Sequence, residues 1–223
     1  MNRKEDGSRK LTDKKSTLDI KYNVTLTDEQ KLAKEKILDS AVTFLHGLPG
    51  TAKTFTACAV AIDMLFKKMV DKIIITRPTI GTEDNGFLPG TLEEKLEPWL
   101  VPIRHNFRQI YNKPDKWKQL ESDGVIEIVS LSHFRGRTMA NSVCILDEYQ
   151  NLSKSQLQMA IGRLGKGSIM IFCGDETQID LKVKSDSAIW DSKKLESSKH
   201  VSIIELKENH RHEAVSELLN LLK

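Results

Sequence analysis

Three cysteines in 223 residues are too few, and too widely spaced, for a disulfide framework or a metal motif. Cys58, Cys144 and Cys173 each lie in apolar surroundings and read as small buried hydrophobes in a reducing compartment. Long apolar runs are also missing: none approaches the roughly 18 residues that suggest a membrane span. The opening residues, MNRKEDGSRKLTDKK, lack the apolar segment of a secretory signal. The expectation is a cytoplasmic protein. An excess of one charge sign is absent from most of the chain. The formal net charge is +3, and residues 1–22 hold seven Lys and Arg against four Asp and Glu, so the remainder is neutral. Bulk charge therefore gives no argument for nucleic acid, and any such surface has to be local. There is no internal repeat and no low-complexity tract.

What is present is enough length for one large α/β domain with a true core, though two would be cramped. Residues 1–22 are charged and aperiodic and read as a flexible tail. The folded domain is placed at 23–223. TDEQKLAKEKIL reads as a helix with Thr27 as N-cap and Gln30 three residues on, a capping box. Apolar runs predict strands at Val42–Leu45, Lys72–Thr76, Val125–Ser130, Val143–Leu146, Ser168–Cys173 and Val201–Leu206. Helical stretches lie between them: TFTACAVAIDMLFKKM, LEEKLEPWLVPIRHNFRQIY, SKSQLQMAIGRL and SAIWDSKKL. Short apolar strands alternating with helices predict βαβ units and a mostly parallel sheet.

One glycine is lacking where it matters most. HGLPGTAKT follows the first strand and opens a helix, and it nearly matches the phosphate-loop pattern G-x-x-x-x-G-K-[ST]. Gly47, Lys53 and Thr54 fit, but position 52 is alanine. In such a loop, successive backbone N–H groups and a helix N-terminus attract phosphate. The nucleotide-binding candidates are therefore Gly47, Leu48, Pro49, Gly50, Thr51, Ala52, Lys53, Thr54 and Phe55. Lys53 would reach the β- and γ-phosphates and the Thr54 hydroxyl would bind Mg²⁺. Ala52 costs little if it has right-handed helical dihedrals, as the start of a helix should. The bland alternative is a glycine-rich strand–helix turn.

Three further polar clusters follow apolar strands. NSVCILDEYQN ends a strand in Asp147 and Glu148, where open α/β sheets bind ligands. Asp147 suits a Mg²⁺ contact and Glu148 suits activation of the attacking water. SIMIFCGDETQ brings Gln178, a candidate for sensing the γ-phosphate or its water. VSIIELKENHRH brings Arg211, a candidate transition-state cation. A solvated strand end or a surface arginine is the ordinary alternative for each taken alone.

Read in order, LTDEQ, GLPGTAKT, IIITRPTIGTEDNGFLPGTLEEKLEPWLVPI, SHFRGRTMANSVCILDEYQN and GRLGKGSIMIFCGDETQIDL resemble a PhoH-like protein. The resemblance spans about residues 25–215. It implies a RecA-like P-loop ATPase core related to the first helicase superfamily, use of Mg²⁺ and ATP, and a link to RNA. Compact versions are frequent in bacteriophages, which would place the protein in a host cytoplasm. It also implies that Gln30 reads the adenine edge, although the capping box accounts for it equally well. ENHRH resembles a helicase motif whose arginine touches the γ-phosphate. Arg77, Arg135 and Arg137 become candidates for a nucleic-acid backbone; solvated charge is the alternative. RHNFRQIYNKPDKWK mixes basic and aromatic residues as single-strand binders do, but its spacing also suits a helix with a wet face. Thr91 with Glu94 reads as a second capping box. Two departures stand out. Ala52 replaces the usual glycine, and Tyr149 replaces alanine beside the proposed base, where its bulk would alter turnover. The expected partner is single-stranded nucleic acid, RNA before DNA. Related helicases hold ATP between two RecA-like domains, and a lone domain would be completed by a neighbouring copy in a homo-oligomeric ring, six-membered by preference. A nucleotide-gated binding module with little turnover and a small-molecule P-loop kinase are the competing readings.

Overall fold

The computed structural model describes residues 24–78 and 92–212 apart from residue 112, together with residues 214, 215, 218 and 221; for 92–100 it describes the backbone alone. The expected tail at 1–22, the GTEDNGFLPG stretch and the Thr91–Glu94 capping box lie outside the described residues.

Helix α1 (Asp28–Asp39) begins at Thr27, whose hydroxyl accepts from Gln30 N while Gln30 Oε1 accepts from Thr27 N, the capping box the sequence implies. Strand β1 (Val42–His46) leads into helix α2 (Lys53–Phe66), followed by β2 (Lys72–Thr76). Helices α3 (Leu92–Ile110) and α4 (Pro114–Ser122) precede β3 (Ile126–Ile128). Then come β4 (Ser142–Asp147), α5 (Lys154–Ile161), β5 (Ile169–Gly174), the short α6 (Ile189–Ser192) and β6 (Val201–Glu205). The six strands form one parallel sheet in the order β3-β2-β4-β5-β1-β6.

The central strands β4 and β5 are buried along their whole length, as strands covered on both faces must be. Their side chains alternate between two cores. Val143, Ile145, Ile169, Ile171 and Cys173 face the layer built on α1 to α4. Cys144, Leu146, Met170 and Phe172 face the layer with Leu157, Ala160 and Ile189 from α5 and α6. Helix α2 is buried continuously from Thr56 to Met64, which explains its run of small and apolar residues. Its buried Asp63 is held by Lys34 at 2.7 Å and Lys67 at 3.1 Å, tying α1 to α2.

Two helical expectations change. The stretch Arg104–Lys118 is not one helix: α3 stops at Ile110 and Pro114 occupies the first turn of α4, where proline lacks only an N–H that would be unpaired anyway. Phe107 and Trp117 face each other across the break, ring centroids 4.2 Å apart, and both are buried. Neither is available to stack on a base. SAIWDSKKL gives a single turn of α-helix and then a 3₁₀ turn at Lys193–Leu195.

Candidate functional site

The loop between β1 and α2 lies at the C-terminal edge of the sheet. At Gly47 a Cβ atom would stand 2.4 Å from Leu206 O and 2.6 Å from Thr51 Oγ1, so only glycine fits between the loop and the exit of β6. Gly50 has φ +93°, and a Cβ there would meet Asn209 Oδ1 and Arg211 Cγ at 2.8 Å. His210 N donates to Gly50 O at 3.0 Å, so the segment after β6 is laced onto the loop. That segment is itself held from α1: both carboxylate oxygens of Glu29 accept backbone N–H groups, from Lys207 at 2.9 Å and Glu208 at 3.0 Å.

Ala52 departs from expectation. Its dihedrals are φ 58° and ψ 31°, the left-handed region, not the right-handed conformation expected at a helix start. The closing turn of the loop therefore uses a glycine conformation with an alanine in it, at a cost of about 1–2 kcal/mol. Its carbonyl still accepts from Thr56 N at 2.9 Å and Thr56 Oγ1 at 2.8 Å, starting α2. Lys53 turns back across the loop, Nζ donating to Gly47 O at 2.7 Å and Leu48 O at 3.1 Å. Thr51 is buried and its hydroxyl donates to Leu48 O. Leu48 is exposed, Pro49 is half-buried, and the Phe55 ring packs on the core.

Parallel register carries the end of β4 to the same level. His46 pairs with Gly174 and Asp147 with Cys173, so β5 alone separates the loop from the acids. Thr54 Oγ1 donates to Asp147 Oδ1 at 2.6 Å. Burial raises the Asp147 pKa, the Glu148 charge adds to this, and the Thr54 hydrogen bond and Arg77 oppose it. Glu148 also has left-handed dihedrals, φ 53° and ψ 39°. Arg77, a candidate for a nucleic-acid backbone contact, turns its guanidinium toward these acids, Nη2 3.6 Å from Glu148 Oε1 and Nη1 4.0 Å from Asp147 Oδ2.

Tyr149 does not crowd Glu148. Its ring is fully buried against Phe44 and Phe172, and its hydroxyl is hydrogen-bonded to His46 Nε2. A Cβ on Gly174 would collide with that ring at 2.5 Å, so glycine there makes room for it. The residue the sequence reading passed over is Gln150. It is fully buried, its Nε2 donates to Glu148 Oε2 and to Gln178 O at 3.0 Å, and its Oε1 accepts from Asp175 N at 3.1 Å. One amide thus joins the ends of β4 and β5. Asp-Glu-x-Gln spacing was a visible signal, but the partners are set by the sheet.

Gln178 has an exposed side chain, and Gln150 holds its carbonyl. Asp175 is buried, with Oδ1 capping Thr177, while its Oδ2 has no hydrogen-bond partner among the described residues; Thr76 Oγ1, at the end of β2, has none among them either. Unpaired buried polar atoms at strand ends fit a place where a polar ligand is received. Arg211 lies with its stem over Gly50 of its own loop. Gln30 is buried and its carbonyl oxygen is used in the cap. Arg137 pairs with Glu127 at 2.8 Å, which Lys72 also holds at 2.7 Å, on the β3 edge; Arg135 is exposed nearby in sequence. The site brings together Lys53, Thr54, Asp147, Glu148, Arg77 and Arg211; Arg137 lies on the β3 side.

A parallel sheet of this order, a phosphate loop after β1 and an aspartate on the loop threonine define a RecA-like P-loop NTPase. The model of the PhoH family, described as PhoH-like protein, matches residues 24–223, and the chain belongs to that family. It is 42% identical over 156 residues to a PhoH-like protein of Mycobacterium leprae, covering 70% of this chain and 44% of that one. It is 39% identical over 178 residues to a PhoH-like protein of Bacillus subtilis, covering 78% and 55%. The chain spans about half the length of the curated relatives it matches. Among solved structures, the large terminase of the thermophilic bacteriophage D6E matches with a TM-score of 0.58 and 10% identity, over 90% of this chain and 51% of that one. Among the described residues no helix is long and apolar enough to cross a membrane.

Proposed function

We propose that this chain is a Mg²⁺-dependent ATPase that couples hydrolysis to binding, translocation or unwinding of single-stranded nucleic acid, RNA before DNA. The observation that carries the reading is the 2.6 Å hydrogen bond from Thr54 to Asp147 beside the Lys53 loop. A hydroxyl and one carboxylate are hard oxygen donors, as Mg²⁺ requires, and Mg²⁺ commonly takes its remaining contacts from phosphate and water. When bound, the ion supplies positive charge at the β- and γ-phosphates.

The chain's own residues do the rest. Loop N–H groups and Lys53 hold the phosphates. Glu148 accepts a proton from a water whose oxygen attacks the γ-phosphorus, while the bond to the β-bridging oxygen breaks. Arg77 and Gln150 fix the Glu148 carboxylate from two sides. Arg211, whose stem lies over Gly50 of its own loop, is on this reading the cation that meets developing charge, acting within one subunit. The proposal includes a homo-oligomeric ring, six-membered by preference, because a loop on one edge of one sheet is open to water unless a neighbouring copy covers it. The test is ATP hydrolysis titrated with single-stranded RNA, single-stranded DNA and duplex. Stimulation by single strands is the expected result. Hydrolysis indifferent to every polymer would remove the nucleic-acid part, and no hydrolysis under any condition would remove the ATPase.

A further inference from the structure

A second surface lies beside the site, on the segment between β5 and β6. Trp190 is 41% exposed although it sits in the only turn of α6. Its indole N–H donates to Lys184 O at 2.9 Å, which fixes that ring edge. Trp190, Lys184 and Ser185 line an open concavity of about 510 Å³, and Val183 beside it is 53% exposed. Residues 182–194 hold four lysines against two aspartates. Lys194 pairs with Asp191, while Lys184 and Lys193 have no carboxylate partner among the described residues. An exposed aromatic ring flanked by lysines matches the way unpaired bases and their phosphates are held.

The surface is also tied to the catalytic edge. Ser187 Oγ donates to Gln150 O, Ala188 N donates to Leu152 O at 2.8 Å, and Ser187 forms a β-bridge with Ser153. Gln150 is the amide that holds Glu148 and Asp175. Lys193 stands near enough to His46, at the mouth of the phosphate loop, for its charge to act on that imidazole. We propose that this surface binds one unpaired base of a single-stranded nucleic acid, stacked on Trp190, with Lys184 and Lys193 on the flanking phosphates. The inference rests on the nucleic-acid reading above and adds a contact point that the phosphate-loop motifs do not contain.

The test is intrinsic fluorescence and binding of the full chain with oligo(U), oligo(dT) and a blunt duplex, each of about 16 nucleotides, without ATP. Trp117 is buried, and subtracting the Trp190→Phe signal isolates Trp190. Single strands should quench Trp190 emission. Trp190→Ala should weaken single-strand binding about tenfold, and Trp190→Phe should keep most of the affinity. Lys184→Ala with Lys193→Ala should make the salt dependence shallower by about one to two in slope. Both positions are exposed, so unchanged melting temperatures are expected and serve as the folding control. If the wild type binds single strands and Trp190→Ala binds them equally well, the inference fails and the nucleic-acid reading stands. Equal quenching by duplex also overturns it, since a paired base cannot stack there. If the wild type binds no strand at all, the nucleic-acid reading itself fails.

Discussion

Replacing Ala52 by glycine reverses sign according to the handedness of one residue. At φ 58° and ψ 31° alanine bears about 1–2 kcal/mol of strain from its Cβ. Glycine removes that strain but gives back about 0.4–1 kcal/mol through the greater freedom of the unfolded chain. The net expectation is stabilisation by about 0.5–1 kcal/mol, a rise in Tm of about 1–4 °C for a domain of this size. A right-handed Ala52 predicts the opposite, a loss of about 1 kcal/mol, as for glycine in a helix. Urea unfolding of the two proteins without nucleotide separates these outcomes, and Ala52→Val adds a control. A β-branched residue is worse still in the left-handed region, so valine should destabilise by more than 1 kcal/mol. A less stable Ala52→Gly protein, with Ala52→Val unharmed, would refute the left-handed geometry. Nucleotide affinity is a second readout. The loop is held from outside by His210 N on Gly50 O, within a segment whose Lys207 and Glu208 N–H groups are held by Glu29, so its shape does not depend on residue 52 alone. ATP affinity should therefore change less than about tenfold; a hundredfold rise, about 2.7 kcal/mol, would mean that the methyl obstructs phosphate.

Lys53→Ala should fold normally and lose most triphosphate affinity; calorimetry with a non-hydrolysable analogue checks this, and unchanged affinity removes the phosphate-loop reading. Glu148→Gln should bind ATP and hydrolyse it at least about a hundredfold more slowly; near wild-type turnover would put the base elsewhere. Burial and repulsion from Lys193, partly offset by attraction to Glu205 and aided least by Lys53, lower the His46 pKa to about 4. The usual value is near 6.5, so the neutral, Tyr149-bonded imidazole contributes fully above about pH 6.5 and its contribution falls away toward pH 4. The stability advantage of wild type over His46→Gln should shrink across that window by up to about 3 kcal/mol, and a constant gap in denaturant titrations would refute the burial. Mixing Arg211→Ala with Lys53→Ala subunits should restore no ATPase activity, since Arg211 lies over its own loop; recovery would place the arginine across an interface.

Strands were legible where burial on both faces leaves an unbroken apolar run: Lys72–Thr76 is a strand end to end, and β4 and β5 differ from the expected bounds by a residue or so. The edge strand β3 was legible as a strand but not in its extent: it spans Ile126–Ile128 within the expected Val125–Ser130, because after Val129, whose N–H still reaches Ile75 O at 2.9 Å, the chain turns into the 3₁₀ helix at Leu131. Pro114 was read inside a helix when it starts one. Lys53, Thr54, Asp147 and Glu148 follow from strand-end chemistry, which is local. Gln150, Glu29 and the place of Arg77 do not, because their partners come from other strand ends and from the loop after β6. Tyr149 looked obstructive in sequence since it adjoins Glu148, yet the turn between them sends one side chain to the acid site and the other into the core.

The two strained residues have a common logic. Among the described residues only four non-glycine positions have positive φ, and Ala52 and Glu148 are two of them. They flank the Thr54–Asp147 hydrogen bond on either side. Each adjoins a regular element at the sheet's C-terminal edge: Ala52 just before α2, Glu148 just after β4. Strained dihedrals persist only where the surroundings over-determine them. For Glu148 the constraints are visible, with Tyr149 locked to His46 on one side and Gln150 locked to Asp175 on the other. Both locks reach toward the loop: His46 is the last residue of β1, and Asp175 follows the β5 residue that pairs with it. The turn at the acid is thus braced by contacts to the strand that carries the phosphate loop and to the strand beside it.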